Sequence, residues 1–122
     1  MSNKKAVAGG TLSVIGSLLL LFSAFLKLKG GPQLDEGMAH LGLPHRMVLP
    51  LAILELTCTV IYLVPRTAVV GVILLTGYLG GAICTHWRAG DPFIVQVVLI
   101  LVLWLGLYLR EERLKALIPL RT

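Results

Sequence analysis

Four long apolar runs dominate the sequence and restrict the folds that are open to it. They lie at about 7–26, 47–64, 67–85 and 93–109, and each comes close to the ~17–25 residues with which an α-helix crosses the hydrocarbon core of a bilayer. None shows the alternation of a barrel strand, and a helix satisfies its own backbone hydrogen bonds in lipid. Hydrophobic residues make up 57% of the 122, more than a soluble domain of this size can bury. The sequence therefore predicts an all-α integral membrane protein.

The segments between the runs predict an antiparallel four-helix transmembrane bundle that forms a single domain, 1–122. The turn "VPRT" is short enough to require a hairpin, and "RAGDP" separates the last two helices. The first run is longer than the ~7–15 apolar residues of a signal peptide, so we expect it to be retained. We expect the segment "YLREERLKALIP" to carry the fourth helix beyond the membrane, with an ion pair between Glu111 and Lys115.

The long connection after the first run predicts a further short helix, at about 32–41. Pro32 is suited to its first turn and Gly42 to its end. Leu34, Met38 and Leu41 then share one face. We expect this amphipathic helix either to lie at the outer interface or to cover the mouth of the bundle.

The distribution of lysine and arginine predicts the orientation. One face of the predicted bundle carries seven of these residues and the other carries four. The seven are Lys4, Lys5, Arg66, Arg110, Arg113, Lys115 and Arg121; the four are Lys27, Lys29, Arg46 and Arg88. Because cytoplasmic loops are enriched in basic residues, we expect a multi-pass protein of the cell membrane with both termini in the cytoplasm.

Several function classes find no support in the sequence. The net charge of +5 comes from residues scattered at the edges of the apolar runs, so we expect the bilayer and no nucleic acid as a partner. No phosphate-binding loop, dinucleotide motif or haem-attachment motif is present. Cys58 and Cys84 form no metal-binding pattern, and they lie too far apart along their predicted helices for a disulfide. We expect neither a metal site nor an intrinsic cofactor.

Glu55 is the one charged residue in the second apolar run, and it lies close to mid-membrane. A charge at that depth costs at least ~2.5–3.5 kcal/mol, so the side chain must face the bundle interior with a partner or be protonated. Thr59 and Tyr62 continue its face at i+4 and i+7, and the third and fourth runs offer Tyr78 and Gln96. Two hypotheses stay open: Glu55 has a structural role, in which it is protonated and hydrogen-bonded within the bundle, or it belongs to a ligand site.

A second polar group gathers at the end where the first run stops and the second begins. Lys27, His86, Arg88 and Asp91 all come to this surface in the predicted topology. They either line the mouth of a site or mark the membrane boundary and cap a turn. A GxxxG pair, Gly77 and Gly81, is typical of close helix packing, and Gly9, Ser13 and Ser17 suggest the same on the first helix.

The order of four segments resembles the DoxX-like family of small four-helix membrane proteins. These segments are "SAFLKLKG" (23–30), "HLGLPHRM" (40–47), "LAILELTCTVIYLVPR" (51–66) and "THWRAGDP" (85–92). Positions that match the recurrent polar and turn residues of the family are Lys27, Glu55, Pro65, His86, Arg88, Gly90, Asp91 and Pro92. The resemblance implies a four-helix membrane bundle and, at most, a subunit of a quinone-linked oxidoreductase, with no transferable catalytic set.

The leading hypothesis is a redox accessory protein that binds a quinone or a similar lipid. Its outward-facing site would surround Glu55, with Thr59 or Tyr62 beside it, and Lys27, His86, Arg88 and Asp91 toward the mouth. This hypothesis requires a cavity between the second and third spans. The alternative is a non-enzymatic chaperone or assembly partner with a tightly packed bundle; a proton-coupled transporter or channel is less favoured. A membrane or peripheral redox partner and a homo-oligomer both stay open.

Overall fold

The computed structural model describes residues 3–121, and all the regular structure within that range is helical. The five α-helices are α1 (Asn3–Lys29), α2 (Pro32–His40), α3 (Val48–Leu63), α4 (Ala68–Arg88) and α5 (Ile94–Arg110). Short 3-10 turns lie at His45–Met47, Pro65–Thr67 and Glu112–Ala116. The prediction of an all-α protein is confirmed.

Three of the helical segments are long and apolar enough to cross a membrane. They are Asn3–Lys29, His45–Leu63 and Pro65–Arg88, while α5 is shorter, with 17 residues. Large apolar side chains such as Phe22 and Leu101 are more than half exposed on the outer surface. Such a surface suits lipid, which solvates apolar side chains as well as a protein core does. The chain is a helical membrane protein.

The four long helices pack side by side in the order α1, α3, α4, α5, with α5 closing back onto α1. Neighbours run in opposite directions. Ser13 of α1 contacts Tyr62 of α3, and Lys27 of α1 contacts Glu55 of α3. The two helices are therefore antiparallel. Gly9 at the start of α1 likewise lies against the end of α5.

Close helix crossings occur at small residues on α1, at Gly106 and at Gly71. A Cβ atom added at Gly9 would come within 2.6 Å of the Gly106 carbonyl oxygen, and one at Gly71 would overlap the backbone of Tyr62. Ser13 is buried at the same crossing. The prediction of close packing at the small residues of α1 is confirmed, and the physical reason is that a missing side chain lets two backbones approach.

The GxxxG pair on α4, Gly77 and Gly81, is not at a close helix contact within this chain, although the motif predicted one. A Cβ atom at Gly77 or Gly81 would have no atom within 4 Å apart from the adjacent residues and the backbone of its own helix. Both glycines are exposed, and both line a cavity. Within this chain they therefore do not pack against another helix, because the buried face of α4 follows Val72, Leu75 and Leu79 instead.

The hydrophobic core fills the half of the bundle that holds the turn between α3 and α4. Tyr62, Val72, Leu75, Leu103 and Leu107 are each 1% exposed or less. The other half is less completely filled, and the cavity lies there.

The short helix α2 covers that open half. It begins at Pro32 and is followed by Gly42, whose φ of +76° suits a residue without a side chain. Met38 is buried, and Leu34 and Leu41 line the cavity below. Of the two positions expected for this helix, the structure has the one over the bundle mouth.

The C-terminal segment does not extend the last transmembrane helix as expected. Helix α5 ends at Arg110, and Glu111 is extended, with φ −117° and ψ 104°. Glu111 pairs with Arg113, and Lys115 pairs with Glu112, so the expected Glu111–Lys115 pair is absent from the ion pairs of the described residues. The turn lets Leu114 be buried against the core, where a straight helix would carry it away from the bundle.

Candidate ligand-binding site

A cavity of about 720 Å³ lies beneath α2, between α3 and α4, and reaches α1 and α5. This volume falls in the range of small-molecule sites, roughly 300–1,000 Å³. Its apolar lining is mainly Leu34, Met38, Leu41, Leu43, Met47, Leu51 and Leu54. Its polar lining includes Ser23, Lys27, Gln33, His40, Tyr78, Thr85, His86, Asp91 and Gln96. The cavity is therefore amphipathic, and it lies between the two spans where the leading hypothesis required one.

An ion pair between Lys27 and Glu55 forms one polar wall. The Lys27 ammonium lies 3.3 Å from Glu55 Oε1 and donates a hydrogen bond to Ser23 Oγ at 2.9 Å. The Glu55 side chain is only 3% exposed, whereas Lys27 is 15% exposed and lines the cavity. Lys27 thus faces the cavity and Glu55 stands behind it.

Helix periodicity explains why these side chains meet. Ser23 and Lys27 are separated by four residues, so they share a face of α1. Glu55 continues the buried face of α3, which also carries Ala52 and Thr59. Tyr78 lines the cavity from α4 and lies near the same carboxylate. Lys27 donates a hydrogen bond to the carboxylate and so provides the partner that a charge inside a membrane protein requires.

Gln96 contributes a buried polar atom without a hydrogen-bond partner among the described residues to the wall formed by α5. Its Oε1 atom is inaccessible and accepts no hydrogen bond from the described residues. Gln96 lines the cavity from α5. A buried amide oxygen without a donor costs about 1–3 kcal/mol, and because this atom is inaccessible from the cavity, the side chain must turn before the oxygen can meet a bound molecule.

Three polar contacts fasten the covering helix and its flanking loop. His40 Nε2 lies 2.9 Å from Asp91 Oδ1, and Arg88 donates to the carbonyl oxygen of Leu41. His45 Nδ1, in the 3-10 turn after α2, lies 3.4 Å from Asp35 Oδ1 in the first turn of α2. The first two contacts join α2 to the end of α4 and the loop that follows it.

Of the residues expected at the mouth of the site, some line the cavity and one holds the end of α2 in place. His86 and Asp91 line the cavity, and His86 Nδ1 donates to the Ala82 carbonyl oxygen at 2.7 Å. Arg88 lies outside the lining and anchors the end of α2.

The structure does not place Tyr62 and Thr59 at the cavity. The Tyr62 hydroxyl donates to the Leu103 carbonyl oxygen at 2.6 Å and contacts Ser13 Oγ at 2.9 Å. Thr59 donates to the Glu55 carbonyl oxygen one turn earlier in α3. Seven residues along a helix amount to about 10 Å, so Tyr62 lies in the packed half of the bundle although it shares a face with Glu55.

Several polar lining residues were not assigned to the site from the sequence, and three of them lie within the apolar runs: Ser23, Tyr78 and Gln96. Each is a hydrogen-bonding side chain inside an apolar run, and that is the signal that marks them. Ser23 is also four residues before Lys27, which is the spacing of a helical pair. The sequence gives no measure of helix rotation, and rotation decides which polar residues face the cavity.

The described residues include no group of three or more histidine, cysteine or acidic side chains that would hold a metal ion. Cys58 is a buried free thiol and Cys84 an exposed one.

These features define a small helical membrane protein with an amphipathic cavity beneath a covering helix. The family model described as the DoxX-like family matches residues 11–107. The match extends over most of the chain and covers part or all of every long helix, so the chain belongs to the DoxX-like family. Comparisons with curated proteins and with solved structures found no match.

Proposed function

We propose that this protein binds a small amphipathic molecule of the bilayer, such as a quinone, in the cavity beneath α2. The observation that carries the proposal is the cavity of about 720 Å³ whose polar wall is the Lys27–Glu55 pair. A charged pair is an expensive feature in a membrane span, and here its cationic member faces open space. Packing of the helices does not require a charged group at this position, whereas a ligand in the cavity would interact with the Lys27 ammonium group.

Lys27 is the residue suited to hold the polar head of the ligand. An ammonium group has three donors, and Ser23 and Glu55 take two of them. The third is available to a carbonyl or hydroxyl oxygen in the cavity. Glu55 acts as a positioning residue in this proposal, because its carboxylate holds the ammonium group in place and balances its charge.

A redox accessory role follows if the ligand is a quinone. The sequence carries no redox-cofactor motif, so electrons would have to come through the bound ligand and a partner. In this proposal the chain serves as the quinone-binding subunit beside a membrane or peripheral redox protein. The alternative of a chaperone or assembly partner required a tightly packed bundle, and the cavity favours ligand binding over it.

Native mass spectrometry of the protein in nanodiscs tests the binding proposal. We expect the wild type to retain a small ligand and both Lys27→Met and Glu55→Gln to lose it, because each change disrupts the head-group contact. Thr59→Val is the matched control, since it changes a polar residue one turn from Glu55 that does not line the cavity. Retention of the ligand by Lys27→Met would contradict the proposed site, and absence of any ligand from the wild type would contradict the function.

We also propose that the α2 end of the bundle faces outward across the cell membrane, with both termini in the cytoplasm. The excess of lysine and arginine at the opposite end supports this orientation. In intact cells we expect a membrane-impermeant thiol reagent to label a cysteine introduced at Gln33 and not one introduced at Arg113, with Cys84→Ala as the background. The reverse labelling pattern would contradict the orientation.

A further inference from the structure

The cavity beneath α2 reaches the lipid-facing surface of the bundle between α3 and α4. Leu54 lines the cavity from α3 and is nevertheless 48% exposed. Gly77 and Gly81 line it from α4, are exposed, and leave open space where a side chain would stand. We name this gap, bounded by Leu54, Gly77 and Gly81, the side opening.

The end of the cavity nearest α2 is covered instead. Six residues of α2 and its end contribute to the lining: Gln33, Leu34, Gly37, Met38, His40 and Leu41. His40 is joined to Asp91, and Arg88 to the Leu41 carbonyl oxygen. A ligand arriving from water would have to break both contacts, whereas the side opening meets the acyl chains directly.

The geometry points to a ligand with a polar head in the cavity and an apolar tail that lies in the side opening, so that the cavity is loaded from the bilayer. This inference rests on the proposed function and specifies its substrate class as a tailed amphiphile. Glycine is suited to the border of the side opening because any side chain there would occupy the space of the tail.

The polar walls specify the head. Lys27 offers a donor, and His86, whose Nδ1 donates to the Ala82 carbonyl oxygen, lines the cavity with Nε2 left to accept a hydrogen bond. A head group that both accepts and donates hydrogen bonds satisfies the two walls together. A hydroxylated ring such as a quinol meets this requirement, whereas a hydrocarbon or a simple ester does not supply the donor.

The test compares a benzoquinol that carries a decyl tail with the same ring that carries a methyl group. Binding is measured by native mass spectrometry across a titration of the full chain in nanodiscs. We expect Gly77→Leu and Gly81→Leu to weaken binding of the tailed quinol by about tenfold or more, because leucine fills the side opening, and to leave binding of the methyl compound unchanged. Gly80→Leu is the matched control, since Gly80 is exposed on the same helix, has open space around it and does not line the cavity.

The outcomes separate this inference from the proposed function. If Gly77→Leu and Gly81→Leu bind the tailed quinol as the wild type does, the side opening is not the place of the tail and the inference fails alone. If the wild type binds neither compound, both proposals fail. Thermal unfolding of each variant shows whether the fold is kept, and the smaller changes Gly77→Ala and Gly81→Ala repeat the test if a leucine variant is unstable.

Discussion

Lys27→Met is expected to lower the free energy of unfolding by about 3–5 kcal/mol, the cost of removing one partner from a buried ion pair. The Glu55 side chain is 3% exposed and forms an ion pair with Lys27. Without the ammonium group, the carboxylate must stay charged inside the bundle or bind a proton at a cost. Methionine keeps the length and apolar stem of lysine, so the change removes the charge and little packing.

The double variant Lys27→Met/Glu55→Leu is expected to recover most of that loss, because it leaves no charge unpaired. Thermal or denaturant unfolding in one detergent, with both single variants, gives the coupling energy of the pair. Lys29→Met is the matched control, since Lys29 is exposed at the end of the same helix. A Lys27→Met protein as stable as the wild type would show that the pair does not hold the bundle together.

Gly71→Ala is expected to destabilise the protein by about 1–3 kcal/mol, as overpacking of a close contact does. The added Cβ atom would overlap the backbone of Tyr62 on α3, and backbone atoms cannot move aside as a flexible side chain does. The turn between α3 and α4 is immediately adjacent, so the two helices have little freedom to separate.

Gly77→Ala provides the comparison on the same helix. Open space surrounds Gly77, so alanine should be neutral or stabilise the helix by up to about 1 kcal/mol, the difference in helix propensity. Melting temperatures of the two variants under identical conditions test the contrast. Equal destabilisation by both changes would indicate that Gly77 packs against a second protein chain. The GxxxG pair would then be a contact between chains and not a contact within the bundle.

The local properties of the chain were predictable from the sequence. Apolar runs bounded by proline and glycine predicted the four long helices to within a few residues at most ends, and the pattern around Met38 predicted α2. The physical reason is that helix formation in a bilayer depends on hydrophobicity and on turn residues, which are local quantities. The C-terminal segment is the exception, because burial of Leu114 against distant residues outweighed its helical pattern.

The partners of the polar residues were decided by the tertiary structure. The sequence marked Glu55 as a residue in need of a partner, and packing of α1 against α3 supplied Lys27. Thr59 and Tyr62 share a face with Glu55 and still lie away from the cavity, because depth along the helix separates them from its polar wall. Gly77 and Gly81 matched a packing motif and border open space instead. The sequence determined which segments cross the membrane, since that depends on the composition of each segment. The rotation of each helix, and with it the cavity, depends on contacts between segments far apart in the chain, which only the folded bundle brings together.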